Sequence, residues 1–221
     1  MKKLLYLIAF LMPWPLRRRL LVLAFGYKIH HTSRIGFAWV MPEQLIMEPY
    51  STIGTLTVCK GLRLVHLKHH SAIGRANWIM GFPASDQKHF AHQRDRRPEL
   101  IVGEHSGITN RHLIDCTNKV TIGAFTTVAG FRSQILTHSI DLEKNQQSSA
   151  PITIGDYCFI GTDCVLLGGS SLPNHCVLGA KSLLNKRYVE SFWLYAGDPA
   201  RPMKRLSEDM AYFKRQAGFV D

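Results

Sequence analysis

The 221-residue sequence predicts an all-β solenoid, a parallel β-helix, with short helices at its N-terminus and a helix at its C-terminus. Between Ile154 and Leu184 an aliphatic residue stands at every sixth position, and a small residue stands two positions before each later member. A period of six fits neither a helix nor simple strand alternation, but it fits short strands joined by bends. Three such hexads would close one coil of eighteen residues. The aliphatic positions are Ile154, Ile160, Leu166, Leu172, Leu178 and Leu184, and the small ones are Cys158, Cys164, Ser170, Cys176 and Ser182.

Residues 1–28 form a separate basic and apolar segment, for which we predict short helices. Residues 1–42 carry seven basic side chains and no acid, and the first carboxylate is Glu43. The apolar run at residues 4–12 is too short to cross a bilayer, which takes about 20 residues. It is followed by Pro13 and Pro15 and by three arginines, without a cleavage site for a secretory signal.

Two uses of residues 1–26 remain open, and both can hold. The helices can attach peripherally to an anionic membrane, or they can cap the open end of the solenoid. We therefore expect a cytoplasmic protein, with contact to the inner face of the cytoplasmic membrane as the further option. Nucleic-acid binding is disfavoured, because the basic residues concentrate in an apolar segment instead of interleaving with aromatic residues along a groove.

The solenoid itself is predicted over residues 29–197, as roughly seven coils with two interruptions. The first interruption, residues 75–99, is rich in aromatic and basic residues, which favours a functional loop over a disordered insert. The second, residues 139–150, is a polar loop entered directly from His138. Residues 198–221 are predicted as a helical tail, because Met203, Leu206, Met210 and Phe213 have helical spacing after Pro202.

Several motifs appear in one order along the second half of the chain, and in that order the sequence resembles the hexapeptide-repeat acyltransferases. It is most similar to the branch that comprises O-acetyltransferases of sugars and of capsule or exopolysaccharide units. The resemblance is strong over about residues 100–205 and loose over residues 16–75, and it implies a left-handed coil. The motifs are residues 120–123 (VTIG), Thr137-His138, residues 151–156 (PITIGD), residues 159–161 (FIG), residues 178–180 (LGA), Asn185-Lys186 and residues 196–201 (AGDPAR).

The resemblance implies transfer of an acetyl group from acetyl-CoA to a hydroxyl of a sugar or envelope glycan intermediate, directly within a ternary complex. The general base would be His138, and an imidazole with an ordinary pKa near 6.5 suits that task at neutral pH. Asp141 lies near it in sequence and either orients the ring or is a plain loop charge. Asn110 either reaches the acceptor or faces outward. The sequence does not identify the sugar and does not exclude an amine acceptor.

The resemblance also implies that acetyl-CoA lies in a groove between two subunits of a homotrimer. Small residues would let the pantetheine arm approach the backbone, and cations would meet the phosphates. The sequence departs from the family pattern at Lys181, at residues 187–190 and at Gln134. The cofactor contacts that carry over by position are Gly161, Thr162, Gly179, Ala180, Asn185, Lys186, Arg201 and Lys204.

Two other function classes compete with this interpretation. A metal-dependent lyase like the γ-type carbonic anhydrases would need three converging histidines, and the spacing of His105, His112 and His138 does not offer them convincingly. The five cysteines show no metal-ligand spacing either, so we expect no metal requirement. A non-catalytic solenoid scaffold is the other alternative.

Overall fold

Three parallel sheets and a separate hairpin account for the strands of the computed structural model, which describes residues 2–86, 88–218 and 220. Sheet A contains β1 (Lys28–Ile29), β4 (Gln44–Met47), β7 (Leu64–Leu67), β10 (Glu99–Val102), β13 (Val120–Ile122), β18 (Ile152–Ile154) and β21 (Ser171–Leu172). Sheet B contains β2 (Arg34–Ile35), β5 (Thr52–Ile53), β8 (Ala72–Ile73), β11 (Gly107–Ile108), β14 (Thr127–Val128), β19 (Phe159–Ile160), β22 (Val177–Leu178), β24 (Trp193–Gly197) and β25 (Ala200–Arg205). Sheet C contains β3 (Trp39–Met41), β6 (Val58–Lys60), β9 (Trp78–Met80), β12 (Leu113–Asp115), β15 (Gln134–Leu136), β20 (Val165–Leu167) and β23 (Leu183–Leu184). The hairpin pairs β16 (His138–Asp141) with β17 (Gln146–Ser149).

From β1 to β23, apart from the hairpin β16–β17, consecutive strands enter sheets A, B and C in rotation, and from β4 onward each of them pairs in parallel with the strand one turn earlier. In sheet A, for example, Ile122 lies beside Ile154, and in sheet B Val128 lies beside Ile160. This is the arrangement expected of a parallel β-helix, so the mostly β fold with parallel sheets is confirmed. The left hand of the coil stays a prediction.

The six-residue period places its side chains as the sequence predicts. All six aliphatic positions from Ile154 to Leu184 are buried, and so are the small residues between them. The thiols of Cys158 and Cys164 contact backbone carbonyls of the next coil, at Pro173 and Gly179. Burial raises the pKa of the Cys158 thiol to about 12, so it packs as a small apolar group.

The N-terminal helices α1 (Lys2–Phe10) and α2 (Trp14–Phe25) cover the first coil. Tyr6 and Leu21 are fully buried in the core. The buried guanidinium of Arg17 donates to the carbonyls of Gly36 and Ala38, at 2.9 and 2.7 Å, which ties α2 to the chain between β2 and β3. The helices therefore act as a cap, one of the two roles expected of them. Among the described residues no helix has the length and apolar character to cross a membrane.

The predicted helix over residues 198–221 is wrong in its first half. Residues 200–205 form β25, which pairs antiparallel with β24, and among the described residues of this segment only α3 (Ala211–Lys214) is helical. The turn between Gly197 and Ala200 sends the chain back along β24, whose open edge supplies backbone hydrogen-bond partners. Met203, expected on a buried helical face, is 64% exposed on that strand.

The two interruptions also have different bounds from those predicted. Strand β9 continues sheet C, so the first excursion leaves the coil only after Met80 and returns at Glu99; we call residues 81–98 the inserted loop. The second excursion is ordered as the hairpin β16–β17. Both therefore start from the end of a strand in sheet C.

A ladder of stacked rings runs along the corner between sheets A and B. Neighbouring ring centroids are 4.7–5.1 Å apart and nearly parallel, which matches the spacing between coils. The C-terminal segment packs against the last rings of this ladder, where Phe213 meets His175 and Phe192 edge-on. The rings are those of Tyr50, His70, His105, Phe125, Tyr157, His175 and Phe192.

His112 is a buried neutral histidine of the core. The backbone N–H of Ser133 donates to its Nδ1 at 3.2 Å, so Nε2 carries the proton and donates to Thr109 Oγ1 at 2.9 Å. Burial lowers the pKa of His112 to about 4, and protonation would bring a second donor against the Ser133 N–H.

We expect this histidine to make stability depend on pH. Because its folded pKa lies below the unfolded value near 6.5, its contribution is complete above pH 6.5 and falls as the pH approaches 4. The loss amounts to about 3 kcal/mol in the free energy of unfolding. Urea unfolding at pH 7.5 and 4.5 should show a smaller pH-dependent loss in His112→Asn than in wild type. The same substitution at exposed His31 should keep the wild-type loss, and an unchanged loss in His112→Asn would contradict the assignment.

Candidate active site

The predicted base, His138, stands where the chain leaves the solenoid. It is the first residue of the hairpin β16–β17 and follows Thr137, the single residue that separates it from β15 of sheet C. Its side chain is 33% exposed, so the ring is accessible while its surroundings are partly buried. His138 therefore lies between the end of strand β15, which is fixed in sheet C, and the hairpin β16–β17, which leaves the solenoid.

Asp115 holds the ring of His138. Asp115 ends β12, the strand beside β15 in sheet C, and its Oδ2 lies 2.8 Å from His138 Nδ1. The same oxygen accepts from the backbone N–H of Thr137 at 2.9 Å and from that of His138 at 3.1 Å. The other carboxylate oxygen accepts from the hydroxyl of Thr117 at 2.6 Å. These contacts leave Asp115 little freedom, so the orientation of the imidazole is fixed by the preceding coil.

The hydrogen bonds set the protonation states of the pair. Burial alone would raise the pKa of Asp115, but hydrogen bonds from His138, Thr117 and Thr137 outweigh it and hold that pKa below its usual value. An ionised carboxylate only accepts, so Nδ1 of His138 carries the proton and Nε2 keeps a lone pair. The hydrogen bond to Asp115 raises the pKa of His138, and burial and the charge of Arg96 oppose that shift in part. Nε2 is therefore the atom able to take a proton.

Asp141 does not orient the ring. Its carboxylate accepts from the backbone N–H groups of Glu143 and Lys144, both at 3.1 Å, and so fixes the turn of the hairpin. Asp141 lies three residues beyond His138 on one strand, and side chains an odd number of residues apart point to opposite faces. The orienting carboxylate is Asp115 instead, a residue that the sequence pattern did not indicate.

The inserted loop, residues 81–98, brings two aromatic rings against His138. The rings of Phe82 and Phe90 meet the imidazole edge-on, with centroids 5.5 and 6.3 Å away. The loop is held by the buried Arg96, whose guanidinium donates to carbonyls of Phe82, Pro83 and Thr117 at 2.6–2.8 Å. That guanidinium also lies over the ring of Phe90, at 4.3 Å from its centroid. The excursion is thus an ordered wall of the site.

The inserted loop is also tied to the hairpin. The side-chain amide of Gln93 exchanges hydrogen bonds with the backbone of Ser149, donating to its carbonyl at 3.1 Å and accepting from its N–H at 2.9 Å. The ring of His92 contacts the carbonyl of Gln147 at 2.8 Å. A pocket of about 410 Å³ lies between the two segments, with polar groups that include Asn145 and Gln146.

Two further pockets meet at His138, one on each side of it along the solenoid. The pocket toward the C-terminal coils, of about 240 Å³, is lined by Ser139, Ser148 and Asn185 among others. The pocket toward the N-terminal coils, of about 440 Å³, is almost entirely apolar. Leu136 and His138 line both. The predicted base therefore lies between a polar and an apolar cavity.

The residues expected to contact the cofactor fall into two groups. Asn185 lines the polar pocket with His138, and Lys186 follows it. The others lie at the corner between sheets B and C or beside it: Gly179 donates its N–H to the carbonyl of Tyr195, and the neighbouring Ala196 pairs with Arg201. The members of this second group are Gly161, Thr162, Gly179, Ala180, Arg201 and Lys204.

Two of these residues, Gly161 and Thr162, have structural roles in the solenoid. A Cβ atom on Gly161 would lie 2.6 Å from the backbone nitrogen of Ala180, so the stacking of coils requires glycine there. The hydroxyl of Thr162 exchanges hydrogen bonds with the backbone of Phe131, at 3.0 and 3.1 Å. These duties are compatible with cofactor contacts, which stay a prediction.

Asn110 and the other two histidines lie away from His138. The amide oxygen of Asn110 accepts from the backbone N–H of Arg75 at 2.7 Å and so holds a turn between sheets B and C. His105 belongs to the ring ladder and His112 to the core. The three histidines therefore do not converge on one point, and the described part of the chain contains no cluster of three side chains suited to a metal ion.

The comparisons with known proteins show the fold. No family model and no curated protein matches the sequence. A hexapeptide-repeat acetyltransferase from Vibrio cholerae, solved with acetyl-CoA, is 22% identical with a TM-score of 0.53, over 65% of this chain and 71% of that one. A mutant of AntD, an N-acyltransferase from Bacillus cereus, is 10% identical with a TM-score of 0.54, over 86% and 89%. It was solved with dTDP-4-amino-4,6-dideoxyglucose and coenzyme A.

The chain thus has the fold of the hexapeptide-repeat acetyltransferases. The resemblance read from the ordered motifs is confirmed at that level. Identities this low carry no residue roles from one protein to the other, so the functional assignment depends on the geometry around His138.

We expect removal of the Asp115 carboxylate to lower the pKa of His138. In wild type the hydrogen bond to Asp115 stabilises the imidazolium, and without it burial and the charge of Arg96 dominate. An NMR titration of the His138 ring should therefore show a lower pKa in Asp115→Asn than in wild type. Asp141→Asn removes a carboxylate from the strand that carries His138, but it should leave the titration of His138 unchanged. Equal shifts in the two variants would contradict the assignment.

Proposed function

We propose that the protein is an acyl-CoA-dependent acyltransferase that moves an acetyl group from acetyl-CoA to a hydroxyl of a sugar or envelope glycan intermediate. The observation that carries the proposal is the Asp115–His138 pair, which leaves Nε2 as a base between two pockets. The shared fold with acetyltransferases, one of them solved with acetyl-CoA, supports the donor.

The pair can perform direct transfer within a ternary complex. As the acceptor oxygen attacks the thioester carbonyl carbon, its proton passes to Nε2 of His138, and Asp115 stabilises the imidazolium that forms. The new C–O bond forms, the C–S bond breaks as the tetrahedral intermediate collapses, and the departing sulfur takes the proton back. No covalent acyl-enzyme is needed.

The chain offers groups that suit both substrates. Lys186, Arg201 and Lys204 are exposed, and within the described residues none of them pairs with a carboxylate, so they are free to meet the phosphates of coenzyme A. The pocket of about 410 Å³ between the inserted loop and the hairpin suits a glycan acceptor, because sugars need hydrogen-bond partners and polar side chains line it. AntD, solved with an amino-sugar nucleotide, makes an amine acceptor the second candidate. We include in the proposal a homotrimer with acetyl-CoA between its subunits.

We expect His138→Ala to lower kcat by about 10²- to 10⁴-fold, the usual contribution of a general base. The assay is release of free CoA thiol from acetyl-CoA with a panel of sugar alcohols, glycans and amino sugars as acceptors. His31→Ala, at an exposed histidine of the first coils, should retain wild-type turnover. If wild type neither binds nor consumes acetyl-CoA with any acceptor, the proposal fails.

We also propose peripheral contact between the N-terminal cap and an anionic membrane. Each helix buries part of its surface on the first coil and leaves apolar side chains exposed. Leu11, directly after α1, is 75% exposed and Leu23 of α2 is 84% exposed. The one-signed charge of residues 1–42 supplies attraction to anionic headgroups. The other exposed large apolar side chains of the two helices are Leu4, Leu7, Ile8 and Leu16.

We expect wild type to float with vesicles that contain phosphatidylglycerol, and to do so less at high salt, because the attraction is screened. Leu11→Gln/Leu23→Gln should remain in the bottom fraction. Point substitutions are preferable to deletion, because the cap covers the core of the first coil. Leu142→Gln, at a leucine of the hairpin turn that is 86% exposed, should float like wild type. Equal flotation of all three proteins would contradict the contact.

A further inference from the structure

The apolar pocket beside His138 lies along sheet C. It extends from β15 past β12 and β9 to β6, which are consecutive neighbours in the sheet. Three strand spacings correspond to about 14 Å of length. Its volume of about 440 Å³ far exceeds the space that the methyl group of an acetyl requires. Its apolar lining includes the outward-facing side chains of Trp78, Met80, Leu113 and Leu136.

The few polar groups of this pocket are already engaged, apart from the two at its ends. Both oxygens of Asp115 accept hydrogen bonds, from Thr117, Thr137 and His138. The hydroxyl of Thr117 donates to Asp115 and accepts from the N–H of Phe82. What remains is the ring of His138 at one end and exposed Lys60 at the other. A sugar in this pocket would lose hydrogen bonds to water without replacing them, which is costly.

The apolar pocket adjoins the polar pocket that lies on the other side of His138. Leu136 and His138 belong to both, and Asn185, an expected cofactor contact, lines the polar one. A thioester that approaches His138 along the side of Asn185 would present its carbonyl carbon near Nε2. The part of the acyl group beyond that carbon would then enter the apolar pocket.

The geometry points to an acyl-chain site: the pocket formed by Trp78, Met80, Leu113 and Leu136 binds the hydrocarbon part of the acyl group, so the donors include acyl-CoAs longer than acetyl-CoA. This inference rests on the proposed function and specifies its donor. The transferred chain buries against apolar side chains, and the acceptor reaches Nε2 from the side of the inserted loop and the hairpin. A chain in this place gains affinity with every methylene it buries.

Calorimetric titration of the full chain with acetyl-, butyryl- and hexanoyl-CoA tests this site. We expect the dissociation constant to fall about three- to fourfold for each added methylene that becomes buried. In Leu113→Gln, which places an amide in the pocket wall, the ratio of hexanoyl- to acetyl-CoA affinity should fall toward one. Leu56→Gln makes the same change at an exposed leucine that does not line the pocket and should keep the wild-type ratio.

The outcomes separate the acyl-chain site from the proposed function. If acetyl-CoA binds and longer chains bind no better, the acyl-chain site is wrong and the acetyltransferase proposal stands. If no acyl-CoA binds, both fail. If Leu113→Gln alters the sedimentation coefficient while the affinity ratio keeps its wild-type value, a second copy of the chain covers this face and the acyl-chain site is overturned.

Discussion

The stacking of one coil on the next is the constraint on which the rest of this structure depends. Each strand is only two to six residues long and would not persist alone, but the parallel hydrogen bonds fix it against the previous turn. The same stacking aligns the ring ladder at 4.7–5.1 Å spacing and forces glycine at Gly161. It also brings Asp115 and Leu136 into register, and the contact between Asp115 and His138 follows from that pairing.

The sequence predicts well the features that depend on one coil alone, such as its buried positions. It predicts poorly the side-chain contacts between two coils. The buried positions from Ile154 to Leu184 repeat at a constant interval, so they are readable without the structure. The partner of His138 was missed because Asp115 lies 23 residues earlier, across a turn whose length departs from the period. Gln134 shows the same effect: it departs from the family pattern, but the buried aliphatic residue of that strand is the next one, Ile135, which lies beside Ile114.

The candidate site is assembled where the regular coil is interrupted. The inserted loop and the hairpin both begin at strands of sheet C, so they meet over the same corner and fasten to each other through Gln93 and Ser149. Arg96 pins the loop with charge-assisted hydrogen bonds to three carbonyls, and so a buried cation supports the aromatic wall. The aromatic and basic composition of the first interruption indicated a functional loop. It did not indicate which residues the loop contacts.

The regular rise of the solenoid also makes it a molecular ruler. The N-terminal cap is fastened to the first coil through Arg17, and β15, which leads into His138, lies four strand spacings farther along sheet C than β3. At the usual distance between strands, this holds His138 about 19 Å from the capped end. A homologue with one coil more or fewer before β6 would shift its Asp115–His138 pair by about 5 Å relative to the capped end without altering any pocket around it. The number of turns is thus a quantity that evolution can adjust to set the distance between the capped end and the Asp115–His138 pair.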